Sequence, residues 1–547
     1  MNGWRSGRIR IVAGLISAAL AVGWTIRLAG QTDFDLVIQH GHVVDGTGNP
    51  WFVGDVAITG DTIAAVASHI EPGSARVIDA TGLVIAPGFV DVHSHSEDAD
   101  QGLASVPAAE NNVRQGVTTV FANSDGSGEV PIAPLLDRVA AAGPAINLGA
   151  FIGHGSIRAK VVGSTNRLAT EAERSQMREV VRAGMEDGAF GLSTGLFYVP
   201  ANYAPLQEVI DLAAVAGRYG GIHQSHMRDE AGHVLDSVKE TIAIGEQGHL
   251  PTQVTHHKII GKANWGRSVD TLRVVDEARA RGVDVTLDQY PYTASSTSIE
   301  SGLVQQWARE GGREKLLARL SDSDLGARIR AEIVRAIDND RGGGDPANVL
   351  LAACDFDRTL AGKNLAQVLR EGGKPVTSAR AADLVVEIVT KGNCSAIYHA
   401  ISEEDLVRIL KYPATMIASD AAPGEPQFGR DVPHPRAYGT FARVLGVYVR
   451  EKQVLTLEDA VRKMSSFPAT RMRLADRGLV RSGMKADLAV FDMATVKDLA
   501  TFEQPHQYAA GMRIVLVNGQ LVLENGKMTG ARPGRVLYGP GYRARSK

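Results

Sequence analysis

The chain has 547 residues, more than a single hydrophobic core accommodates, so a large domain with smaller attached pieces is expected. Its 58 basic and 61 acidic side chains nearly cancel, which excludes a field of one sign for holding nucleic acid or an acidic membrane. Two cysteines, Cys354 and Cys394, are too few for a disulfide framework and lack the paired spacing of a structural zinc site, although one bridge between them stays open.

Residues 1–30 stand apart. Arg5, Arg8 and Arg10 precede an uncharged, mostly apolar run from Ile11 to Ile26, followed by small residues around Ala29 and Gly30, which is the order of a secretory signal peptide. The run is shorter than the roughly 20 residues a spanning helix needs, which favours removal over anchoring. The protein is therefore expected to be exported, periplasmic or secreted, with an N-terminal membrane anchor as the alternative.

From Phe34 to Ala86, short alternating runs broken by glycine (DLVIQHGHVVDGTG, DVAITGDTIAAV) read as small strands and hairpins. The same texture returns in ADLAVFDMATV and RIVLVNGQLVLENGKM. Residues 34–86 and 476–547 are accordingly expected to pair into one small β-sandwich domain. Between them, β-branched runs alternate with helical stretches rich in Ala, Arg and Glu, the pattern of an α/β fold with a parallel sheet. The candidate strands are GFVDVHSH, GVTTVFAN, AINLGAFIGHG, AFGLSTG, GGIHQSH, PTQVTHH, DVTLDQYP and ATMIASD. Eight such units over residues 87–475 predict a closed (β/α)8 TIM barrel. A charged helical stretch at about 301–348 exceeds an ordinary βα connection and predicts an inserted lid or subdomain.

Active sites of such barrels lie at the C-terminal strand ends, and these ends are rich in metal ligands. The first strand closes on His93-Ser94-His95, and strand alternation puts both imidazoles on one face. The fifth closes on His226 and the sixth on His256. The eighth ends in Ser419-Asp420 after an apolar run, where an ionised carboxylate is costly to bury unless it meets a cation. His154, closing the third strand, is read as structural, and His257 as pointing away from the site.

The pattern resembles the amidohydrolase superfamily and, within it, the D-aminoacylase (N-acyl-D-amino-acid deacylase) family. The resemblance runs from Phe34 to about Gly530 through APGFVDVHSH, GAFGLSTGL, HMRDE, THHK, YPYTASST, ASD and HPRAYGTF. It implies one or two zinc ions, with His226, His256 and Asp125 at the tighter site and His93 and His95 at a second. One departure stands out: the family's metal-bridging cysteine lies in a Gly-Asn-Cys-Gly turn, and here the turn reads Asn123-Ser124-Asp125-Gly126. Aspartate is a harder ligand than thiolate, so metal number and preference are open at this position.

A bound zinc lowers the pKa of its water to about 7 and polarises a carbonyl, so amide hydrolysis is the expected chemistry, with Asp420 as general acid and base. The resemblance further implies that Lys258, Tyr290 and Arg436 hold the free carboxylate of a small-molecule N-acyl amino acid. Preference for the D enantiomer is implied by the resemblance alone. Two readings compete: a cyclic amidase or dipeptidase, disfavoured because the fourth strand offers no lysine, and an inactive binding barrel, which would need no base beside a metal.

Overall fold

The structure, a computed structural model, describes residues 33–544 apart from 99 and 427, so the expected signal segment lies outside the described residues. Eight parallel strands form its centre: β1 (Phe89–Asp91), β2 (Val117–Ala122), β3 (Asn147–Ala150, resumed at Ile152–Gly153), β4 (Gly191–Gly195), β5 (Ile222–His226), β6 (Thr252–Val254), β7 (Val285–Gln289) and β8 (Thr415–Ile417). They pair in chain order as two arcs, β1 to β3 and β3 to β8. The chain itself joins the arcs at Phe151. At the other seam Ser94 bridges Ala421 in parallel, and the Asp420 amide donates to the His93 carbonyl at 2.9 Å.

The strands are the eight runs read from the sequence, and their composition follows from their surroundings. Every residue of β2, β4, β5 and β7 is buried, because a parallel strand covered on both faces must be apolar or hydrogen-bonded throughout. The outer helices are amphipathic. In Leu206–Arg218 the side chains of Val209, Ile210, Leu212 and Ala213 face inward. Helix Glu171–Asp187 starts at a capping box in which Thr170 and Glu173 satisfy each other's backbone amides.

Both chain ends contribute to a second unit, a nine-stranded sheet in which Val84–Pro87 pairs antiparallel with Leu488–Phe491. The unit is one hydrogen-bonded sheet in which strands from both chain ends share a core, and it branches at Leu36–Val43. That strand pairs with Arg76–Asp79 over its first half and with Val84 and Ile85 over its second, with an irregularity between Ile38 and Gly41 and His40 at φ 62°. The last described residues leave this sheet. Gly534, Leu537 and Gly539 donate backbone bonds to Pro144, Leu148 and Gly188, so the tail runs along the barrel beside β3 and β4.

The insertion is larger than expected. Its sheet consists of Ser295–Ser298, Val349–Cys354 and Cys394–Tyr398, all antiparallel, with five α-helices between Ile299 and Lys391 and a hydrophobic core of its own. Charge and helical pattern end near Asn348, but the following run VLLAAC pairs within the insertion rather than in the barrel. Cys354 and Cys394 face each other across this sheet and form a disulfide.

Candidate metal centre and active site

The mouth of the barrel gathers the residues singled out above. Asp125 follows β2 in a turn that needs glycine twice. Gly126 has φ +70°, and a Cβ on it would lie 2.4 Å from the Gly195 amide nitrogen, while a Cβ on Gly195 would lie 2.1 Å from the Asp125 carbonyl oxygen. The fourth-strand motif AFGLSTG thus supplies no ligand. It lets the Asp125 turn press against β4, where Ser193 accepts from the Gly126 amide at 3.2 Å.

Two groups of ligand atoms converge, His93, His95, Asp125 and Asp420 in one and Asp125, His226 and His256 in the other, with Asp125 common to both. In a tetrahedral zinc site with ligand bonds near 2.1 Å, ligand atoms lie roughly 3.4 Å apart. Asp125 Oδ1 stands 3.5 Å from His256 Nε2 and 3.6 Å from His226 Nδ1. In the other group, His93 Nε2 stands 3.2 Å from Asp125 Oδ1 and 3.4 Å from Asp420 Oδ1, and His95 Nε2 stands 3.1 Å from Asp420 Oδ1. Both ring nitrogens of His93, and Asp125 Oδ1, are buried with no hydrogen-bond partner among the described residues. Such orphaned groups are costly unless something else binds them, so the set fits divalent metal.

Electrostatics agree. Burial, then the neighbouring His256, push the His226 imidazole down to about 4, into the neutral form that ligates metal. Burial and Lys258 act to lower His256, yet Glu230, Asp420 and Asp125 hold it up at about 9, so metal uptake there displaces a proton. Burial acts to raise the Asp420 carboxyl, but Arg436 and His93 hold it well below the ordinary carboxylate range. Three strand-end residues carry left-handed backbone, Asn123 (φ 61°), His256 (φ 35°) and Asp420 (φ 53°), a strain of about 1–3 kcal/mol each that the surrounding hydrogen bonds sustain.

The expected substrate residues are all here, and the two cations are already paired. Lys258 is buried, with its Nζ ion-paired to Glu230 and 2.7 Å from His256 Nδ1. Arg436 donates to Asp420 Oδ2 at 2.6 Å and stacks 4.8 Å from the Tyr290 ring centre. The Tyr290 hydroxyl is buried without a hydrogen-bond partner among the described residues. His154 lies outside the cluster against Glu208, and His257 meets Thr271 on the far side of its strand. A cavity of about 510 Å³ opens over the cluster and reaches from the metal ligands to the inserted sheet.

Several members carry no simple signal. Glu230 accepts from Lys258 and Arg341 and lies 3.2 Å from His256 Nδ1; it sits in HMRDE, four residues after His226, and that spacing could have found it. Arg341 comes from the insertion and has no signal at all. Asp288 accepts from the His256 amide at 2.7 Å, Asp91 from the His93 and Ser419 amides, and Glu97 from the Asn123 amide, so three carboxylates hold the backbone at the strand ends from behind.

A parallel barrel with histidine and aspartate ligands converging at its C-terminal face is the scaffold of a metal-dependent hydrolase. The amidohydrolase family model matches residues 76–523. D-aminoacylase of Alcaligenes xylosoxydans xylosoxydans is 36% identical over 92% of this chain and 97% of its own length, and the N-acyl-D-aspartate deacylase of the same organism is 34% identical over 92% and 95%. Among solved structures, a D-aminoacylase superposes with a TM-score of 0.79 at 35% identity, covering 92% of this chain and all of that one. The N-acyl-D-glutamate deacylase of Bordetella bronchiseptica, complexed with zinc and a phosphonate mimic of the tetrahedral intermediate, superposes at 0.77 with 32% identity over the same shares. The chain belongs to the amidohydrolase family and, within it, to the D-aminoacylase family.

Proposed function

We propose that this chain hydrolyses the amide bond of N-acyl-D-amino acids to a carboxylate and a free D-amino acid, using zinc. The observation that carries the reading is the convergence of His93, His95, Asp125, His226, His256 and Asp420 with neighbouring ligand atoms 2.8–3.7 Å apart, beside buried cations. The deacylase relatives support the substrate class, and the zinc in the Bordetella structure supports the metal.

His226, His256 and Asp125 would hold one ion, and His93 and His95, sharing Asp125, a second. Zinc, when bound, supplies an acidified water and a Lewis acid for the carbonyl oxygen. Asp420, kept ionised, takes the proton of the attacking water and returns it to the leaving nitrogen. Arg436 fixes the outer Asp420 oxygen, which leaves the inner one facing His93 and His95. Lys258, Arg436 and the unpartnered Tyr290 hydroxyl hold the substrate carboxylate.

The test is release of free amine from N-acetyl-D- and N-acetyl-L-amino acids by zinc-loaded protein, with Asp420→Ala and Asp125→Ala in parallel. We expect turnover of the D series, abolished by chelator and reduced by roughly 10²–10⁴ in Asp420→Ala. Turnover of L substrates only, or activity indifferent to chelator, would overturn the reading.

The proposal includes export from the cytoplasm. The N-terminal sequence supports it, as does the Cys354–Cys394 disulfide, a bond typical of oxidising compartments. Fractionation of cells expressing the full chain decides the point, and retention in the cytoplasm sinks it.

A further inference from the structure

N-acyl-D-amino acids differ in the side chain on their α-carbon, and the cavity walls bear on which side chain this enzyme takes. An N-acyl amino acid sends three arms from its scissile amide. The acyl group leaves the carbonyl carbon at the metals, whereas the carboxylate and the side chain leave the same α-carbon. The part of the wall that receives the side chain must therefore adjoin the groups that hold the carboxylate.

Two sets of residues line the cavity wall. One comes from the barrel loops and includes the small or apolar Gly155, Ala159, Val199, Pro200 and Ala201. The other belongs to the insertion and includes Ser295, Ser296, Thr297, Ser298, Ser301 and Arg341. This second set is tied directly to the carboxylate-holding wall, because Glu230 is shared by Lys258 and Arg341.

Arg341 is built into place. Its side chain is 7% exposed; Nη2 donates to Glu230 Oε2 at 2.8 Å, Nη1 donates to Ser295 Oγ at 3.1 Å, and the guanidinium lies 4.6 Å from the Phe197 ring centre. Two cations, Lys258 and Arg341, flank the one carboxylate of Glu230, so with Lys258 turned to the substrate carboxylate Arg341 is the cation left on the insertion side. Ser295 Oγ accepts from Arg341, Ser298 Oγ from the Ser301 amide and Ser301 Oγ from Arg309, so each of these hydroxyls keeps a proton to donate, which a carboxylate accepts and an aliphatic side chain does not.

We propose that Arg341 and the hydroxyls of Ser295–Ser298 and Ser301 form the side-chain subsite, and that it takes an acidic D-amino-acid side chain in preference to an aliphatic one. The inference rests on the deacylase reading above. It makes the insertion part of the active site, since the barrel without it lacks this wall.

The experiment compares kcat/KM for N-acetyl-D-glutamate, N-acetyl-D-aspartate and N-acetyl-D-leucine on the zinc-loaded enzyme, with Arg341→Met, Arg341→Lys and Thr297→Val. Sites that hydrogen-bond a polar group discriminate by large factors, so we expect an acidic over leucine ratio of roughly 10² or more. Arg341→Met should lower that ratio at least tenfold, mostly through KM, Arg341→Lys should recover part of it, and Thr297→Val should lower it in the same direction. Wild-type preference for N-acetyl-D-leucine, or equal losses on all three substrates in both Arg341→Met and Thr297→Val, overturns the subsite. No turnover of any N-acyl-D-amino acid by the wild type instead overturns the deacylase reading.

Discussion

Glu230→Gln tests how the buried charges around the metal centre are balanced. Glu230 is 3% exposed and serves Lys258, Arg341 at 2.8 Å and His256 at 3.2 Å. At 2.8 Å and an effective dielectric of about 20, one such pair has a Coulomb energy of about 6 kcal/mol, much of it offset by desolvation. Removing one member of a buried pair leaves its partners uncompensated, and the usual net loss is about 3–5 kcal/mol. Glutamine keeps the shape and one acceptor oxygen, so the loss is charge rather than volume. Two readouts should move together. Urea unfolding of the metal-free protein should show a loss of about 3 kcal/mol or more. Zinc affinity should drop about 10- to 100-fold, because His256 loses the carboxylate beside its Nδ1. A variant with wild-type zinc affinity and unfolding midpoint would refute the reasoning, and would mean that Lys258 and Arg341 find other partners at little cost.

Asp125 is common to both candidate ligand groups, so on the proposed reading Asp125→Ala should lose bound zinc from both, whereas Asp125→Cys should retain it and favour softer metals; metal content after dialysis decides. The Cys354–Cys394 bridge closes a loop with a sequence separation of 40, worth roughly 4 kcal/mol in the chain-entropy account. Reductant should therefore lower the denaturation midpoint, and Cys354→Ser/Cys394→Ser should make that midpoint insensitive to reductant. His223 is buried against Thr194 and Thr252, and burial, with His154 and Arg471, pushes its imidazole down to about 3. The unfolded chain takes that proton near pH 6.5, so His223 costs stability as pH falls from about 6.5 toward 3, by up to about 1.4 kcal/mol per unit. Urea unfolding at pH 6.5, 5.5 and 4.5 should show a shallower acid slope in His223→Gln than in the wild type.

The barrel was legible because each of its strands is a local object. A run such as VTTVFA is buried from end to end and must be apolar whatever its neighbours are. His93, His95, His226, His256 and Asp420 were legible for the same reason, since a strand end in a parallel barrel has only one mouth to face. The inserted subdomain was read short because Val349–Cys354 looks like a barrel strand by composition, and only its antiparallel partner Cys394–Tyr398 shows where it belongs.

The sequence by itself determined the strand set, the metal-ligand types and the kinship, since these depend on residue type and short spacing. Tertiary structure alone decided that Asp125 joins both ligand groups, that Gly126 and Gly195 must both lack a side chain for it to do so, and that Lys258 and Arg436 sit in ion pairs. It also decided that Arg341, 111 residues from Glu230, completes the wall of the site. The physical reason is that burial and charge pairing are properties of surroundings: a lysine or arginine reads the same in sequence whether water or a buried carboxylate meets it.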